Sequence, residues 1–105
     1  MFELIKKLFA SGPKVDYCQL VSEGAQIIDV RTKMEFNGGH IKGSKNIPLQ
    51  VLGQNLKSIH KDKPVIAVCA SGSRSAAARS ILLANGFKEV YNGGGYYSLQ
   101  SKLGN

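Results

Sequence analysis

The run Val65-Ile66-Ala67-Val68-Cys69 constrains the fold more than any other stretch of the chain. β-Branched and small apolar residues end at a cysteine, Ala70-Ser71-Gly72-Ser73 turns the chain, and an Ala-rich segment follows at once. Such a sequence reads as a strand buried on both faces, a tight loop and a helix. A cysteine at the carboxyl end of that strand, facing the amino end of the helix, lies where open α/β sheets place their ligands. The unpaired N–H groups and partial positive charge of the helix end favour a thiolate and any anion it meets.

At 105 residues with a hydrophobic fraction of 43%, the chain suits one domain with a single core. No segment approaches the apolar length of a membrane span. The 14 Lys/Arg against 7 Asp/Glu leave a formal charge of +7, which attracts anions from nucleic acid to a small oxyanion. The lysines are scattered and lack the aromatic interleaving of single-strand binders, so they read as a solvated basic surface with no nucleic acid partner. Neither Cys18 nor Cys69 has a secretory-looking flank, and the opening apolar run is interrupted by Lys6 and Lys7. A reducing, cytoplasmic setting is the expectation.

Phe2, Ile5, Leu8 and Phe9 recur at helical spacing, which sets an amphipathic segment over 1–12 ahead of a domain over 13–105. Val15 starts a short edge strand. Asp16 and Gln19 suit a capping box, with Tyr17, Leu20 and Val21 as the buried stripe of a helix ending near Gly24 and Cys18 as an inert packing cysteine inside it. Ala25 to Val30 reads as a second strand. Thr32 and Glu35 form another capping box for one helical turn, which Gly38-Gly39 terminates. Asn46-Ile47-Pro48 suits a brief strand, and Leu52, Leu56 and Ile59 mark a helix to about His60.

Beyond the cysteine loop the helix presents Ala77, Ile81 and Ala84, widened by Leu82 and Leu83, and ends at an αL cap on Gly86. Phe87, Val90 and Tyr91 form a last strand, Asn92 to Gly95 a flexible turn, and Tyr96, Leu99 and Leu103 a final helix. Strands alternating with helices give an α/β fold: a mostly parallel sheet of four to five strands with helices on both faces.

The chemistry centres on Cys69. If the loop curls, the backbone N–H groups of Ala70, Ser71, Gly72, Ser73, Arg74 and Ser75 converge on its sulfur as a nest that stabilises negative charge. Gly72 permits the positive φ of such a curl, the small side chains leave the mouth open, and Arg74 adds a cation. Cys69 is therefore expected to be substantially thiolate near neutral pH. His40, in a Gly-rich turn, reads as structural and His60 as solvated, so no general base is evident. A thiolate without one suits a soft electrophile with a good leaving group, and sulfane sulfur meets both conditions. Amide cleavage calls for a histidine partner and an oxyanion hole.

These residues resemble a single-domain rhodanese, of the sulfurtransferase family. Ile28-Asp29-Val30-Arg31 leads through Glu35-Phe36, Gly39-His40-Ile41 and Gly43-Ser44 to Asn46-Ile47-Pro48, close to that family's D-V-R, E-F/Y, G-H-I, G-A, N-I-P succession. Cys69 to Ser75 is similar to its active-site loop, and Gly94-Gly95 opens the last helix as it does there. The resemblance implies a rhodanese-like fold and a sulfur relay. Cys69 takes the outer sulfur of thiosulfate or a similar small anionic donor, becomes a persulfide, and passes the sulfur to a thiol, cyanide or a protein acceptor, with neither cofactor nor metal. Asp29 and Arg31 match positions near the loop. They read chiefly as a pair locking neighbouring turns, and contact of Arg31 with substrate is the lesser reading. Ala70 stands where many members carry a bulky or basic residue, and Leu99 where Trp is common.

Two other functions fit a reactive Cys69. One is a non-enzymatic persulfide carrier or redox-sensing module. The other is a cysteine phosphatase or arsenate reductase, whose loops typically place one residue more between Cys and Arg. The four residues between Cys69 and Arg74 make a ring sized for sulfur rather than for a tetrahedral phosphate.

Overall fold

A computed structural model describes residues 14–104; the expected amphipathic segment over 1–12 lies outside them. The elements run α1 (Tyr17–Ser22), β1 (Gln26–Asp29), α2 (Lys33–Asn37), β2 (Lys45–Asn46), α3 (Leu49–Leu52), β3 (Val65–Cys69), α4 (Ser73–Ala84), β4 (Val90–Gly95) and α5 (Tyr96–Leu103). The four strands form one sheet in the order β2-β1-β3-β4, and every pairing is parallel.

The alternation of β3 sorts the core into two layers. Val65, Ala67 and Cys69 point to one face with Ile28, Val30, Leu52, Ala78, Leu82 and Phe87, beneath α3 and α4. Ile66 and Val68 point to the other with Ile27, Ile41 and Leu99, beneath α1 and α5. All five residues of β3 are buried, which explains its uninterrupted apolar run. Each large side chain so buried contributes roughly 1.5–3 kcal/mol.

Several elements depart from expectation. Val15 lies outside any strand, and Asp16 caps α1 by accepting from Gln19 N–H. The reciprocal half of the box is missing because the Gln19 amide donates to Glu23 instead. No residue of α1 is fully buried, and Cys18 is exposed, its thiol donating to the Lys102 carbonyl at 3.3 Å. It is a surface cysteine, because the short helix turns its one packed side toward α5 with Tyr17 and Leu20. The helix expected up to His60 starts at Leu49 and ends at Leu52. Gly53 follows, and the Asn55 amide donates to Val51 O at 2.7 Å, diverting a helix carbonyl. Leu56 and Ile59 reach the core from turns.

The buried stripe of α4 is Ser75, Ala78 and Leu82, rotated from the expected one, with Ala77, Leu83 and Ala84 exposed. Alanine is too uninformative for the periodicity to fix a face. Asn92 to Gly95 is strand rather than flexible turn. Ala67 pairs with Asn92 and Val68 with Gly94, so Gly93 is an extra residue, a bulge in β4. Crowding leaves no room there for a side chain. A Cβ on Gly93 would stand 2.8 Å from Ile66 Cγ2 and 2.9 Å from Val68 Cγ1, and one on Gly95 would stand 2.7 Å from the Ala70 carbonyl oxygen.

Candidate active site

Cys69 ends the central strand β3, and the chain leaves it through Ala70-Ser71-Gly72 into α4. Gly72 has φ +106°, the left-handed conformation expected of it. That curl brings the Gly72 N–H to 2.9 Å from Cys69 Sγ. The Ser75 hydroxyl lies 3.4 Å from the same sulfur, and Ser75 is itself buried. Burial pushes the Cys69 thiol up. The Ser75 hydroxyl and the N–H groups of Ser75, Gly72 and Ser71 outweigh it and hold the thiol below its ordinary value.

The ring differs from its sequence outline in three ways. Ser71, Gly72 and Ser75 supply the N–H groups that lower the thiol, and Ser75 adds a hydroxyl that its backbone role did not foretell. Ala70, Ser71 and Ser73 are exposed, yet Cys69 is buried, where small side chains predict an open mouth. Arg74 turns away to Glu35 on α2, Nη1 to Oε1 at 2.8 Å and Nη2 to Oε2 at 3.0 Å. Its charge reaches the sulfur only as a secondary effect.

Glu35 also completes the capping box of α2, accepting the Thr32 N–H at 2.9 Å. The Arg74 hydrogen bonds and then those of Thr32 pull its carboxyl down to about 2. Arg31 is buried against Asp29, with Nε 3.0 Å from Oδ1 and Nη2 2.8 Å from Oδ2. Nη2 also donates to the Gly39 carbonyl at 2.7 Å, and the guanidinium lies 3.8 Å over the Tyr96 ring. That placement ties β1, the turn after α2 and α5 together through the guanidinium. His40 is exposed and stacked on Phe36 at 3.7 Å, and His60 is exposed.

Asn92 escaped the sequence reading. Its side chain accepts from the Ser75 hydroxyl at 2.6 Å and donates to Gly72 O at 3.1 Å, and no local pattern marks a contact 17 residues away. Hollows of about 370 and 410 Å³ flank α1, but no residue of the Cys69 loop lines them. No helix among the described residues is long and apolar enough to cross a membrane.

A parallel sheet with a thiol held by a backbone N–H group between its central strand and the next helix defines a class of α/β domain with a cradled cysteine. A rhodanese-like domain model matches residues 15–102, and the chain belongs to that family. The uncharacterized protein YqhL of Bacillus subtilis is 50% identical over 68 residues, covering 65% of this chain and 54% of YqhL, so the match spans about half of that relative. Thiosulfate sulfurtransferase GlpE of Pseudomonas aeruginosa is 33% identical over 81 residues, 77% of this chain and 74% of GlpE. Among solved structures, a rhodanese-like domain protein from Staphylococcus aureus superposes with TM-score 0.66 at 35% identity, over 92% of this chain and 83% of its own. An E. coli rhodanese solved with anions gives 0.67 at 30%, over 70% of this chain and 89% of its own.

Proposed function

We propose that the protein is a sulfurtransferase that carries a sulfane sulfur on Cys69. The observation that carries this reading is the Gly72 N–H at 2.9 Å from Cys69 Sγ, a donor placed to hold an anionic sulfur at the carboxyl end of β3. The Cys69 thiolate attacks the outer sulfur of thiosulfate, the S–S bond of the donor breaks, and sulfite leaves with the electron pair. An acceptor nucleophile, a thiolate or cyanide, then takes the terminal sulfur and returns the pair to Cys69. Each step balances without cofactor, metal or external oxidant. The donors that stabilise the thiolate serve the persulfide anion equally.

Family membership and the likeness to GlpE support this reading. The Arg74–Glu35 pair weighs against a phosphatase, which would need that guanidinium turned onto a phosphate. Both cysteines are free, as in a reducing, cytoplasmic setting. Intact mass spectrometry after exposure to thiosulfate tests the proposal. One added sulfur on the wild type and none on Cys69→Ser is expected; equal addition to both overturns it.

A further inference from the structure

Ser75 has one hydroxyl proton and three acceptors around it. Asn92 Oδ1 is at 2.6 Å, Gly72 O at 3.1 Å and Cys69 Sγ at 3.4 Å. The Asn92 amide has only one tenable orientation. Gly94 N–H donates to Oδ1 at 2.9 Å, and Nδ2 donates to Gly72 O at 3.1 Å. Turning the amide over would set two donors against each other at Gly94 and two acceptors at Gly72. Oδ1 therefore faces Ser75, and in that short contact Ser75 is the donor. As a thiol, Cys69 can donate its S–H to Ser75 Oγ while Ser75 donates to Asn92, and every proton in the chain has a partner. As an anion, Cys69 has nothing to donate, and it competes with Asn92 for the Ser75 proton.

We propose that Asn92 is a positioning residue that acts on Cys69 through Ser75: its amide oxygen holds the Ser75 proton while Cys69 is a thiol and yields it when the sulfur becomes an anion. No covalent bond changes at Ser75. The Cys69 proton leaves to solvent and the hydroxyl swings from one acceptor to the other. Asn92 keeps a partner after the swing, because Gly94 N–H remains on Oδ1 and Nδ2 on Gly72 O. The charged groups on neighbouring elements are the Arg74–Glu35 pair on α4 and α2 and the Asp29–Arg31 pair at the end of β1. Each is internally compensated and unchanged between the two states.

The proposal rests on Cys69 as the reacting thiolate, and its test reads that thiolate without a sulfur donor, so failure of sulfur loading and failure of the relay are separable. The measurement is the pH profile of iodoacetamide alkylation at Cys69, with Cys18 replaced by Ser. Asn92→Leu removes the nearest competing acceptor, leaving only Gly72 O at 3.1 Å as a rival to the sulfur for the Ser75 proton. The rate below the titration midpoint is expected to rise about fivefold, the factor for one hydrogen bond of about 1 kcal/mol. Asn92→Asp offers a stronger acceptor and should lower that rate. In a Ser75→Ala background the Asn92→Leu effect should vanish and the Asn92→Asp effect should shrink.

A purely structural Asn92 would act oppositely, since loosening Gly72 withdraws its N–H from the sulfur and slows alkylation. Both Asn92 variants slower than wild type, or an Asn92→Leu effect that survives Ser75→Ala, overturns the proposal. Thermal melting of each variant verifies that the folded protein is being measured, and if Asn92→Leu does not fold, Asn92→Asp with and without Ser75 decides.

Discussion

Arg74 and Glu35 meet in a two-pronged ion pair across 39 residues of sequence, at 2.8 and 3.0 Å. The pair joins the first turn of α4, which carries the Cys69 loop, to the capping box that starts α2. A planar guanidinium on a carboxylate fixes orientation as well as distance, so α2 braces the loop from the side.

The carboxyl at the centre of this brace should titrate far below its neighbours. Glu35 is held to about 2, first by Arg74 and then by Thr32. A depressed carboxylate contributes stability that is present above its unfolded value and lost as pH falls through the folded one. The brace therefore persists through the range in which ordinary carboxylates protonate. NMR titration of the Glu35 side-chain carbonyl should give a midpoint of about 2 in the wild type and a clearly higher one in Arg74→Ala. An unmoved midpoint in that variant contradicts the assignment of cause.

Asp29 and Arg31 behave differently because they are buried. With side chains 0% and 4% exposed, removing one partner strands the other's charge in the interior, which typically costs about 3–5 kcal/mol. Arg31→Met should lower unfolding free energy in urea by that order, with little change in the sulfur loading of the protein that remains folded. A loss of loading at undiminished stability would instead place Arg31 in contact with the donor.

Two glycines of β4 should separate stability from chemistry. Gly93→Ala drives a methyl group to 2.8 and 2.9 Å from Ile66 and Val68 in the core, and overpacking of this kind costs about 1–3 kcal/mol. Gly95→Ala meets the Ala70 carbonyl at 2.7 Å, so the Cys69 loop itself must move. Urea denaturation is expected to show the larger loss for Gly93→Ala, and thiosulfate loading the larger loss for Gly95→Ala. The reverse ranking contradicts this division of roles.

What the sequence discloses here depends on the range of each interaction. The strand at Val65–Cys69 and the Thr32–Glu35 box are legible because composition or spacing within a few residues determines them. Gly72 is legible for the same reason, since only the turn it sits in demands positive φ. The partners of Arg74 and Ser75 are not, because Glu35 and Asn92 arrive from other elements and leave no mark beside the cysteine. The glycines at 93–95 read locally as slack. Only the passage of β4 against Ile66, Val68 and Ala70 shows that Gly93 and Gly95 are there for close approach, while Gly94 holds a φ of +78°. Ala77, Ala78 and Ala84 could have faced either way until Leu82 and Phe87 fixed the face of α4.

The reactivity of Cys69 should follow the sign of its shift. Burial raises the thiol, and the Ser75 hydroxyl with the N–H groups of Ser75, Gly72 and Ser71 lowers it further than burial raises it. These hydrogen bonds favour the anion more than burial penalises it. Sulfur loading and alkylation should rise with pH, with a midpoint below the ordinary value of a cysteine thiol. In stability terms a depressed thiol contributes above its unfolded value, and that contribution fades as pH falls through the folded one. Ser75→Ala removes the largest of the lowering contributions while leaving the backbone in place, so its profile should shift to higher pH with the same plateau. Cys18→Ser, which alters an exposed thiol on α1, should leave loading and midpoint where they were. A wild-type profile with its midpoint at or above the free-cysteine value would show that the loop buries Cys69 without activating it.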